Sequence, residues 1–352
     1  MSQSLRGLVV AGLLCGLFAA SLKVARADDE DRKSAKAAPL LPVDRSLWLN
    51  TSPLTWEQLR GKGVYLFYFH CDPESNEFFP AHLAAAKQHA LDPVVFIGVA
   101  MASTPREAEA YLKGVGFTWP TLCDPTYTFC HQCDKAMGPV EAGEPTTSET
   151  TISVAYVTDD GKIIGGWYDM PEDTVTEALK GAAWKTDPKD IPEPVWPIWR
   201  AVEFRKFSDA LPLLKKGLNA GSDDHKAAVR KLQDVVLAEI ELRTEEARAA
   251  EQADQKWTAY RKATRVMDEF RGYDIPKDLE PLQKKLSRSS EVKSGLTAEK
   301  QLTIAAQGLA SPSLPMRKRA QIQLEKIVAD FPGTDLSERA QQLLAEPQTT
   351  PK

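Results

Sequence analysis

The chain of 352 residues has no basic excess: 44 lysines and arginines stand against 49 aspartates and glutamates, giving a formal net charge of −5. That balance gives no support to nucleic-acid binding, which depends on neutralising phosphates. A long apolar run is missing after residue 27, so nothing in the remainder can span a bilayer, which takes ~20 consecutive apolar residues. Histidine is scarce, and His82, His89 and His225 each stand alone in polar, helical surroundings, where a surface place is expected rather than a ligand's role. Cysteine is scarce as well. Apart from Cys15 near the start, only Cys71, Cys123, Cys130 and Cys133 are present, and their spacing does not choose a pairing among them.

What the chain does have begins with a leader. Arg6 precedes an apolar stretch from Leu8 to Ala20, and Ala25-Arg26-Ala27 before Asp28-Asp29-Glu30 has the small-x-small form of a signal peptidase site. Residues 1–27 are therefore expected to be a signal peptide, with Cys15 discarded in it and the mature chain starting at Asp28 in the periplasm or cell envelope. Removing Arg6, Lys23 and Arg26 leaves the exported chain more acidic still. No integral membrane segment is expected after cleavage, and disulfides can persist in such a compartment.

Residues 28–45 are charged and then Ala/Pro-rich, and read as a disordered tether. A first folded unit is expected over 46–184. Val64 to Phe69 is an apolar, aromatic run of buried-strand length, followed by Asp72 as N-cap with Pro73 opening a helix that runs to about His89 with a kink near Pro80. A strand over 93–100, a helix opened by Thr104-Pro105 and a short strand over 119–123 come next. A helical stretch over 126–137 stopped by Gly138 and a polar loop over 139–150 then lead to a strand over 152–158. Asp159-Asp160-Gly161 turns that strand into a second one over 162–167, and a helix over 172–183 closes the unit. Strands alternating with helices and ending in a hairpin predict a small mixed sheet with helices on its faces. A proline-rich linker over 185–198 separates this unit from an all-α region over 199–346, and residues 347–352 form a tail. Helices are expected there over 201–218, 223–253, 255–270, 279–288, 297–309, 316–330 and 335–345.

Leu54 to Lys62, the segment Phe117-Thr-Trp-Pro-Thr-Leu-Cys-Asp-Pro125 and the turn Val157-Thr-Asp-Asp-Gly-Lys162 carry a family likeness. Residues 54–183 resemble a thioredoxin-fold domain of the TlpA and peroxiredoxin-like (AhpC/TSA) branch. The ending Ala329-Asp-Phe-Pro-Gly-Thr-Asp335, with Ala340 and Leu343-Leu344, is similar to a degenerate tetratricopeptide-type array, an irregular bundle being the other reading. The thioredoxin likeness implies a nucleophilic cysteine at the strand-to-helix turn, which is Cys71, acting on a protein disulfide. It also implies a second cysteine at 74 and a cis-proline before the strand at 152, where this chain has Glu74 and Thr151. The peroxiredoxin pattern fares no better, with Tyr68 where its threonine would stand.

Three chemistries follow for the cysteines. Cys71 beside a helix N-terminus would have its thiolate favoured, with Cys130 or Cys133 as a displaced resolving thiol. Cys130-His131-Gln132-Cys133 is a C-x-x-C whose thiols share a helix face, fit for a redox dithiol or a plain disulfide. All four thiols with His70 or His131 would make a soft set suited to zinc or copper(I). The catalytic candidates are thus Cys71, Cys130 and Cys133, with no cofactor expected. The functional expectation is an envelope interaction scaffold that binds a protein partner through its helical region, with a thiol-disulfide oxidoreductase or a metal binder as the alternatives.

Overall fold

The computed structural model describes residues 35–138, 150, 152–219, 221–309, 311 and 313–345. The leader and its cleavage site, most of the polar loop over 139–150, Thr151 and the tail lie outside the described residues. The chain divides between Lys189 and Asp190 into two compact units.

The first unit is a thioredoxin-like α/β domain. Its elements are β1 (Trp48–Leu49), α1 (Trp56–Leu59), β2 (Gly63–His70), α2 (Phe79–Gln88), β3 (Val94–Met101), α3 (Pro105–Val115), β4 (Thr121–Asp124), α4 (Thr128–Met137), β5 (Ile152–Val157), β6 (Ile163–Gly165) and α5 (Pro171–Leu179). The six strands run in the order β1-β4-β3-β2-β5-β6. β2, β3 and β4 are parallel, while β1, β5 and β6 are antiparallel to their neighbours. Strands β2 and β3 are apolar along almost their whole length because they are covered on both faces, as central parallel strands must be.

Strand alternation sorts the side chains. Tyr65, Phe67 and Phe69 of β2 join Phe79 of α2, Phe96 and Ala100 of β3, Ala108 and Leu112 of α3, Phe117, Cys123 of β4, and Val175 and Ala178 of α5 in one core cluster. Tyr68, the residue between Phe67 and Phe69, points to the other face, where α4 lies. Phe67 is the hub of the aromatic face, with ring centroids 5.2 Å from Phe79, 4.1 Å from His82 and 6.4 Å from Phe117.

Two expectations are corrected here. Residues 36–42, read as part of the mobile tether, are held against the sheet. Ala37 bridges Lys162, the Ile163 amide donates to the Lys36 carbonyl at 3.0 Å, and Leu41 is buried. The indoles of Trp48 and Trp56 donate to the carbonyls of Pro42 and Pro39 at 2.7 and 2.6 Å. Backbone hydrogen bonding of this strap therefore outweighs its loop-like composition. His82 is not on the surface either: it is 1% exposed and wedged under Phe67.

The second unit is all-helical: α6 (Trp196–Glu203), α7 (Phe207–Leu218), α8 (Asp223–Gln252), α9 (Lys256–Glu269), α10 (Leu279–Ser287), α11 (Ser290–Leu309), α12 (Leu314–Asp330) and α13 (Asp335–Ala345). The single helix expected over 201–218 is two, broken where Arg205 takes φ 56. The helix expected from 297 begins at Ser290 instead. Gly295 there lies flat on Trp257, and a Cβ at that position would come within 2.2 Å of the indole. Arg243 ties α7, α8 and α9 together, its guanidinium 5.6 and 5.4 Å from the ring centroids of Phe207 and Phe270, which stack on each other at 4.5 Å, and paired with Glu239 and Glu269. No described helix is long and apolar enough to cross a membrane.

Candidate functional site at the end of the central strands

Cys71 follows the last residue of β2 and is half-buried against the aromatic core. The expected helix N-terminus behind it is not an α-helix. Pro73–Glu77 form a 3-10 turn, and α2 begins only at Phe79. The side chain of Asp72 accepts the Ser75 amide at 2.9 Å, so an amide that could have stabilised a thiolate is taken by a carboxylate. Tyr111 pins the same turn, its hydroxyl lying 2.9 Å from the Asp72 carbonyl and 2.7 Å from Asn76 Oδ1.

The consequence for Cys71 is the reverse of activation. Burial pushes its thiol pKa up, a hydrogen bond with the Ser103 hydroxyl offsets part of this, and the carboxylates of Asp72 and Glu107 add to the rise. Glu74, at the place of a second redox cysteine, is exposed. Ser75 is fully buried with its hydroxyl unpartnered among the described residues.

Cys123 is the thiol that shares the surroundings of Cys71. It is buried in the same core cluster, and burial, with the charge of a Cys71 thiolate as the lesser cause, drives its pKa up to about 12. The strand register sets their separation. Phe69 pairs with Ala100, and Ala100 with Cys123. Two strand spacings, about 9–10 Å, thus lie between the backbones of Cys123 and of the β2 row from which Cys71 continues.

Cys130 and Cys133 lie elsewhere, on α4 against the face that carries Tyr68. Both are fully buried. The Cys130 amide donates to Asp124 Oδ2 at 2.9 Å. Burial raises the Cys130 thiol far above its ordinary range, and Asp124 and Cys133 add to it. Burial likewise raises Cys133, a contact with Tyr68 opposing it and the carboxylates of Asp134 and Asp124 reinforcing it. Tyr68 is completely buried, and among the described residues its hydroxyl has no hydrogen-bond partner of normal geometry, although the Cys133 thiol is close enough to act on its ionisation.

The structure therefore does not bring Cys130 or Cys133 to Cys71, because the sheet stands between them. The soft metal set fails for the same reason. Among the described residues no three His, Cys, Asp or Glu side chains converge as ligands, and the zinc or copper(I) reading is withdrawn.

No sequence pattern signals the Tyr65–His82 pair. The Tyr65 hydroxyl lies 2.6 Å from His82 Nδ1, while Nε2 is buried without a partner among the described residues. Burial pulls the His82 pKa down to about 4, so the ring is neutral in the core. His89 is opposite in sense. Burial pulls its pKa down, but bonds to Glu172 and Asp92 at 2.8 and 2.9 Å outweigh that and raise it.

No family model and no curated protein matches the chain. Solved structures similar to it include a thioredoxin-family thiol:disulfide interchange protein from Chlorobium tepidum, at 15% identity and TM-score 0.33, covering 41% of this chain and 97% of that one. Another is a secreted Mycobacterium tuberculosis disulfide oxidoreductase, at 15% identity and TM-score 0.28, covering 42% of this chain and 98% of its own. A third is the thioredoxin domain of a thiol-disulfide oxidoreductase from Bacteroides vulgatus, at 14% identity and TM-score 0.31, covering 41% and 97%. The order and direction of this chain's own strands carry the thioredoxin-like assignment.

Proposed function

We propose that this chain is an exported, thioredoxin-fold interaction scaffold of the cell envelope, whose helical unit binds a protein partner and whose Cys71 no longer performs thiol-disulfide exchange. One observation carries the reading: the turn after β2 presents Cys71 with its thiol pKa raised and an exposed Glu74 where a resolving thiol would stand. Exchange needs a thiolate to attack and a second thiol within reach to release the mixed disulfide. Both requirements go unmet at this turn.

Surface chemistry at the same end of the sheet supports binding. Trp167, Tyr168 and Met170 are exposed in the loop between β6 and α5, and the ring of Tyr168 meets that of Phe78, just past the Cys71 turn, at 6.0 Å. The loop reaches this end because the Gly166 amide donates to the Val154 carbonyl beside the start of β5. Exposed aromatics of this kind are more typical of contact surfaces than of bare solvent faces.

The test is a reductase assay on a protein disulfide, comparing the full chain with Cys71→Ser. Equal rates, no faster than the uncatalysed reaction, are expected. A parent rate well above that of the variant would restore the oxidoreductase reading.

A further inference from the structure

We propose that Cys130 and Cys133 are the thiol couple of this domain, closing reversibly into an intrahelical disulfide in α4 on the sheet face away from Cys71. The C-x-x-C of the chain has then not been lost but stands two crossovers further along, in a helix rather than at the β2 turn.

Geometry singles out this pair. At three residues apart in an α-helix, the two Cα atoms stand about 5 Å from each other, inside the ~4.4–6.8 Å that a disulfide accepts. Cys71 follows β2 and Cys123 stands on β4, with β3 between those strands, so no helical spacing sets their Cα atoms at bridging distance. Cys130 and Cys133 also face the same cover: each thiol acts on the ionisation of Tyr68, and Asp124 and Asp134 act on both.

Reversibility follows from the same helix. Helical neighbours at this spacing hold their Cβ atoms roughly 5–6 Å apart, whereas a relaxed disulfide wants roughly 3.5–4.5 Å. Closing the bond must tighten the first turn of α4, and such a bond is more readily reduced than a relaxed one. Tyr127, where the helix opens, supplies no side-chain cap, while Asp124 Oδ2 holds the Cys130 amide at 2.9 Å and must move with that residue as the bond closes. Full burial of both thiols means that the bond forms or breaks when α4 lifts from the sheet. The step is a two-electron oxidation. Cys130 and Cys133 each lose a proton and an electron as the S–S bond forms, and the acceptor, glutathione disulfide or a protein disulfide, is cleaved to two thiols.

The experiment refolds the reduced full chain in glutathione buffers of graded ratio, traps free thiols with an alkylating reagent, and maps the bridges by mass. A parallel sample of the exported chain, purified without reductant and trapped in denaturant, is mapped in the same way and requires no refolding. The expected result in both is a Cys130–Cys133 bridge with Cys71 and Cys123 alkylated, appearing in a single two-electron transition across the buffers. Reduction should lower the denaturant midpoint of the parent and leave that of Cys130→Ser unchanged. A predominant bridge containing Cys71 or Cys123, or complete alkylation of Cys130 and Cys133 in the most oxidising buffer, overturns the proposal. The mapping reads α4 and the reductase assay reads Cys71, so each inference can fail without the other.

Discussion

The two faces of the central sheet hold thiols under different conditions. One face is filled with interlocking aromatic rings, and Cys71 emerges at its rim, half-buried and next to an Asp72 that consumes a turn amide. The other carries Cys130 and Cys133 in α4, fully buried beside Tyr68 and Asp124. The comparison separates two properties that usually coincide in a redox site. Access belongs to Cys71, while a second thiol at bridging distance belongs to the α4 pair. Neither site combines the two.

The sharpest way to break the contrast is to damage the aromatic face. Phe67→Ala removes a fully buried ring that touches Phe79, His82 and Phe117, and should cost about 3–5 kcal/mol, read as a lowered urea midpoint. A loss below about 1 kcal/mol would show that this face can collapse around the gap.

The same face should also impose a pH dependence. His82 titrates near 4 in the folded state against about 6.5 when unfolded, so below the unfolded value the unfolded chain binds the extra proton. Its contribution is complete above pH ~6.5 and is lost as pH falls toward 4, by roughly 3 kcal/mol over the window. His89, with its pKa raised, works in the opposite direction: its contribution is present in acid and lost as pH rises through the folded value. The check is therefore a difference, comparing urea midpoints at pH 7.5 and 4.5 in the parent and in His82→Leu. The parent should lose more than the variant, and equal slopes would place the His82 ring in contact with water.

The smallest effect is expected on the other face. Among the described residues the buried Tyr68 hydroxyl has no partner of normal geometry, so Tyr68→Phe should be neutral or stabilise by up to about 1 kcal/mol. A loss of 1 kcal/mol or more would mean that the Tyr68–Cys133 contact is a working hydrogen bond.

Much of the sheet was legible because its signals are local. The apolar run at β2, the Thr104-Pro105 opening of α3 and the Asp-Asp-Gly turn before β6 each act through neighbouring residues. The remainder depends on contacts made across the fold. An Ala/Pro-rich strap has no pattern of its own, and it is held by the indoles of Trp48 and Trp56 and by the backbone at Gly161 and Ile163. The burial of His82 needs the Tyr65 hydroxyl, 17 residues away. The partition of the cysteines was hidden for a related reason. Sequence puts Cys123, Cys130 and Cys133 within eleven positions, whereas one chain reversal between β4 and α4 sends them to opposite faces.

The most direct measurement is the pH dependence of Cys71 alkylation in the folded chain from Asp28 onward, where Cys123, Cys130 and Cys133 are buried. The account predicts a rate that keeps rising past pH ~8.5, the ordinary cysteine value, because the thiol pKa is raised by burial and by Asp72 and Glu107. A rate already on its plateau below pH ~8 would reveal an activated thiolate and contradict the scaffold reading at its base.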